Sequence, residues 1–69
     1  MKYEEGQKIK IKSGVYKCLD DPFMEIEVDI YRQAEVTVIA DIPKEDMVIV
    51  NISRKKTPVR FSIPRDRIA

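Results

Sequence analysis

A chain of 69 residues has room for one domain, spanning 1–69, and at that length folding hides only about 60% of the surface the unfolded form exposes. Histidine is absent and Cys18 is the single cysteine, which excludes an intrachain disulfide and a structural zinc site. The net charge of +1 conceals a segregation. Residues 18–46 carry nine acids against two bases and residues 53–69 six bases against one acid, a pattern that bears on partners rather than on fold.

Ten isoleucines and seven valines stand against one leucine, Leu19, and three alanines. A branched Cβ stiffens χ1, which disfavours a helical turn and suits a half-buried pleated face, so the composition predicts an all-β fold. Residues 7–12 open the pattern, with Ile9 and Ile11 on one face and Lys8, Lys10 and Lys12 on the other, and Ser13-Gly14 stops it. Residues 15–23 are less regular and read as the longest loop, turning at Asp20-Asp21-Pro22. Residues 24–31 alternate most cleanly, placing Met24, Ile26, Val28 and Ile30 inward and Glu25, Glu27, Asp29 and Tyr31 outward.

A short reversal at Arg32-Gln33 leads into residues 34–42, where Val36, Val38 and Ala40 share one face and Glu35, Thr37, Ile39 and Asp41 the other. The expectation is a hairpin between these two strands, although no glycine marks the turn. Pro43, with its fixed φ and flanking acids, predicts a single helical turn over 41–46. Residues 47–52 run continuously apolar and are expected at the centre of the sheet. A cationic loop over 53–58, containing Arg54, Lys55 and Lys56, precedes a last long strand, 59–63, with Val59, Phe61 and Ile63 on one face. Residues 64–67 then form a tight turn that returns Ile68 to the core.

The closing segment, Val59-Arg60-Phe61-Ser62-Ile63-Pro64-Arg65-Asp66-Arg67-Ile68-Ala69, resembles that of SH3-like barrels. In that family a strand ends in an apolar-Pro pair, one 3₁₀ turn follows, and a short strand headed by an aliphatic residue closes the barrel. Here Ile63-Pro64, residues 65–67 and Ile68-Ala69 fill those places. The resemblance implies a five-stranded SH3-like barrel with a short 3₁₀ turn before the last strand. It is a scaffold shared by adaptors, ribosomal and transcription-factor modules and many small bacterial or phage proteins. It does not carry over binding of proline-rich ligands, because there is no tryptophan and Arg67 stands where a tyrosine would complete the groove.

Three functional readings follow. The first is a small non-catalytic protein-binding module that presents Glu25, Glu27, Asp29 and Tyr31, or a strand edge, to a partner. The second gathers Lys8, Lys10, Lys12, Arg54, Lys55, Lys56, Arg60, Arg65 and Arg67 against the phosphates of a nucleic acid. The third is a structural homo-oligomer joined at an exposed strand edge. Carboxylates at 25, 27 and 29 lie in a row about 7 Å apart and do not converge on a metal ion. Without histidine, neither Cys18 nor any serine has a partner base of the usual kind, so no enzymatic activity and no cofactor are expected. Cys18 reads as a small buried hydrophobe, and Asn51-Ile52-Ser53 as a chance glycosylation sequon. The chain holds neither a signal-peptide core nor a membrane span, and a cytoplasmic location is the expectation.

Overall fold

The computed structural model describes residues 2–20, 23, 27–54 and 57–69. The described residues form six strands, β1 (Lys8–Ile11), β2 (Gly14–Lys17), β3 (Glu27–Ile30), β4 (Ala34–Ile42), β5 (Met47–Arg54) and β6 (Thr57–Pro64), with 3₁₀ turns at Pro43–Glu45, between β4 and β5, and at Arg65–Arg67, after β6. They form two antiparallel sheets, one of four strands in the order β1-β4-β5-β6 and one of β2 with β3. Among the described residues there is no α-helix, and the ladders do not close into a barrel.

Two expectations need correction. Among the described residues there are six strands where five were expected, because part of the segment read as a loop is β2. Its inward residues are Tyr16 and, just beyond it, Cys18, an amphipathic ring and a thiol rather than the β-branched residues that advertise the other strands. The hairpin expected between 24–31 and 34–42 also fails, since β3 pairs with β2 and β4 runs between β1 and β5. Arg32-Gln33 lacks the positive-φ residue that a two-residue hairpin turn demands, and the chain crosses there from one sheet to the other.

Other elements stand where the sequence places them. Pro43 opens the first 3₁₀ turn, which ends on Asp46 at φ 57°, the left-handed region where a short polar side chain is tolerated. β5 sits inside the sheet, with Val48 and Val50 wholly buried. The 53–58 loop is tighter than expected, because Ser53 pairs with Pro58 and Arg54 with Thr57 in the β5–β6 ladder. Proline is tolerated there because β6 is the last strand of its sheet.

Both sheets contribute to one core of Ile9, Ile11, Tyr16, Cys18, Val28, Ile30, Val36, Val38, Val48, Val50, Phe61 and Ile63. Tyr16 stacks on Phe61 with ring centroids 5.3 Å apart, so the small sheet packs on β6 through an aromatic pair. Isolated bridges stitch the remaining edges. Cys18 pairs with Phe61 and Ile11 with Ile68, supported by Leu19 N–H to the Arg60 carbonyl and Ala69 N–H to the Lys10 carbonyl, both 2.8 Å.

One irregularity redirects a side chain. The β4–β5 register shifts between Val38 and Ala40, so Val38 faces Val50 while Asp41 faces Val48. Directly opposed residues in an antiparallel pair share a face. The extra residue therefore moves Asp41 from its expected outward position to the side of the buried Val48, and its side chain is only 6% exposed.

Phe61 is fully buried beneath the Tyr16 ring, and its removal tests the shared core. Phe61→Ala should cost about 3–5 kcal/mol, enough to unfold a chain of this size, whereas Ile63→Val should cost about 0.5–1.5 kcal/mol. Urea unfolding followed by circular dichroism measures both.

Candidate functional site

The outward face of the β2–β3 hairpin is the first candidate surface. Val15 lies opposite Asp29 and Lys17 opposite Glu27, with Lys17 Nζ 3.6 Å from a Glu27 carboxylate oxygen. Tyr31 follows β3 and is 87% exposed, while Phe23, in the turn region between the two strands, is 79% exposed. Val15 and Leu19 complete the set of large hydrophobics exposed among the described residues, and all four fall between residues 15 and 31. Period-two reading alone marks Glu27, Asp29 and Tyr31 as outward but misses Val15, Leu19 and Phe23, which it assigns to a loop. Glu25 lies outside the described residues.

The described residues of the candidate basic set lie in or next to β1, β5, β6 and the final 3₁₀ turn. Lys8, Lys10 and Lys12 project from the exposed side of β1, with Lys8 Nζ donating to Thr37 Oγ1 at 3.2 Å. Arg54 ends β5, and Lys55 and Lys56 lie outside the described residues. The three remaining arginines are engaged within the chain. Arg60 donates from Nε and Nη2 to Asp20 Oδ1 at 3.0 and 2.6 Å. Arg65 is ion-paired to the buried Asp41, approaches Asp46 at 3.4 Å and lies over the Tyr3 ring at 5.4 Å. Arg67 donates to the Ser13 carbonyl and lies 3.5 Å from the Tyr16 hydroxyl, which itself donates to the Lys12 carbonyl. The crossing is close at Gly14, where a Cβ would stand 2.8 Å from the Arg67 guanidinium and that side chain would have to shift.

A third feature lies on the outer face of the larger sheet. A cleft of about 380 Å³ is lined by Lys8, Glu35, Val36, Thr37, Asn51, Ile52 and Ser53. Lys8 pairs with Thr37 and Thr37 with Asn51, so these three stand in one cross-strand row. Asn51 Oδ1 is buried without a hydrogen-bond partner, a state that costs about 1–3 kcal/mol. Apart from Asn51, which interrupts the apolar run of β5, no sequence signal points to this cleft, because its residues come from three strands and Lys8, Glu35, Thr37 and Ser53 look like ordinary outward positions.

Cys18 is 6% exposed within the core, as expected of a small hydrophobe. Among the described residues no cluster of three or more metal-ligating side chains is formed, and no helix is long and apolar enough to cross a membrane.

The Asp20–Arg60 pair makes stability depend on acidity. Hydrogen bonds from the Arg60 side chain, and then from its backbone N–H, hold the Asp20 carboxyl below its ordinary range. A carboxyl lowered by folding stabilises the fold where it is ionised in both states, and that stabilisation disappears as pH falls through and below the ordinary aspartate range. Melting temperatures of the wild type and Asp20→Asn should therefore differ at neutral pH and converge in acid.

Comparison with known protein families, curated proteins and solved structures returns no match for this chain.

Proposed function

We propose that this chain is a non-catalytic module of SH3-like type that works by binding another protein through the outer face of the β2–β3 hairpin. Support for the SH3-like reading comes from the order of elements. A first strand is followed by a long excursion, a three-strand meander, a 3₁₀ turn and a final segment that bridges back to the first strand. The observation that carries the binding reading is the confinement of the exposed Val15, Leu19, Phe23 and Tyr31 to this one hairpin region, beside Glu27 and Asp29. Aromatic residues on an otherwise polar surface are the usual anchors of protein interfaces, and acids beside them steer encounter with a complementary partner.

The nucleic-acid reading draws on the same cations listed in sequence, yet Arg60, Arg65 and Arg67 each hold a group of their own chain. Among the cations whose side chains are described, that leaves chiefly the β1 lysines for phosphates, which favours the protein reading. The homo-oligomer reading uses β3, which among the described residues pairs only with β2.

A double variant, Val15→Ser with Tyr31→Ala, should keep its circular-dichroism spectrum and weaken capture of the bound protein by about 30-fold or more, the scale of a lost hot spot. Lys10→Gln serves as the control and should retain the partner. Undiminished capture by the double variant would remove the hairpin face from consideration. Steeply salt-dependent binding of single- or double-stranded nucleic acid, abolished by Lys8→Gln with Lys10→Gln and Lys12→Gln, would instead support the second reading. Light scattering that finds a dimer dispersed by the Tyr31 variant would support the third.

A further inference from the structure

The cleft on the β1–β4–β5 face is separate from the hairpin surface and has a different chemistry. Its central residue is anomalous. β5 reads Met-Val-Ile-Val-Asn-Ile before its polar end, and asparagine is among the residues least suited to a strand interior. Asn51 nevertheless occupies that place, with its Oδ1 sheltered and unpaired. A residue that goes against local preference and leaves a polar atom unsatisfied lowers stability, and such departures are expected at functional sites.

Around Asn51 the lining carries one cation and one anion. Lys8 and Thr37 belong to one cross-strand row, while Glu35 lies one row along, opposite Lys10. Among the described residues no ion pair joins Lys8 to Glu35, and the lysine donates to Thr37 instead. Rows two residues apart on one face are separated by about 7 Å. That spacing lets the carboxylate and ammonium of one small molecule each reach a side chain at hydrogen-bond distance.

We propose that this cleft binds a small zwitterion with the chemistry of a free α-amino acid. Lys8 and Thr37 take its carboxylate, Glu35 and Ser53 take its ammonium, and the Asn51 amide lies between them. Lys10 lies opposite Glu35 and Arg60, held by Asp20, lies opposite Asn51, so the cleft presents both signs of charge and suits a zwitterion better than a ligand of one sign.

Amide chemical-shift mapping of the full chain tests the assignment, with glycine and alanine as probes and acetate and methylammonium as single-charge controls. The zwitterions should shift the amides of residues 8, 35, 37, 51 and 53, and the controls should not. Glu35→Gln and Lys8→Met, both exposed positions, should each weaken that response at least tenfold while leaving the spectrum folded. Asn51→Val should abolish the response and raise the urea midpoint. The proposal is overturned by absence of zwitterion shifts in the wild type, by equal shifts from the single-charge controls, or by a lower urea midpoint in Asn51→Val.

Discussion

Three arginines near the end of the chain tie segments distant in sequence to one another. Arg60 grips Asp20 beyond β2, Arg65 grips Asp41 at the end of β4, and Arg67 grips the Ser13 carbonyl between β1 and β2. A chain of 69 residues buries too little apolar surface to fix every segment by packing alone. Charge-assisted hydrogen bonds are stronger than neutral ones, and the planar guanidinium presents several donors in a fixed fork. The segregation of acids before residue 46 and bases after residue 53 thus has an internal use, since it lets the last strand and turn clamp what came earlier.

The Arg65 clamp depends on a backbone defect. The bulge after Val38 turns Asp41 inward beside Val48, where Arg65 reaches it from the 3₁₀ turn and the Tyr3 backbone N–H donates to its other oxygen at 3.1 Å. A nearly buried carboxylate needs such company, because an unpaired charge in that position would be expensive to shelter. The same cluster draws in the start of the chain, with the Tyr3 ring beneath the guanidinium.

Much of this fold was legible because side-chain period two is a local property. Val28 and Ile30, Val36 and Val38, and Phe61 and Ile63 all point inward as alternation predicts, and the turn after Ile63-Pro64 forms at residues 65–67. Pairing between strands is not local, which is why β3 was assigned to the wrong neighbour. β2 escaped because Tyr16 and Cys18 face the core in place of branched aliphatics, and the bulge escaped because residues 34–42 alternate as smoothly as a regular strand. Of the candidate sites, the exposure of Tyr31 and the outward Glu27 were readable from phase. The engagement of Arg60, Arg65 and Arg67 was not, since each partner lies between 24 and 54 residues away.

The clamp account rests most heavily on Asp41 and Arg65. A double-mutant cycle combining Asp41→Ala and Arg65→Ala, read by urea unfolding near neutral pH, measures their coupling directly. Coupling of about 1–3 kcal/mol is expected for partners that share a sheltered charge network. Single losses that simply add, to within about 0.5 kcal/mol, would show that the two side chains are neighbours without being a clamp.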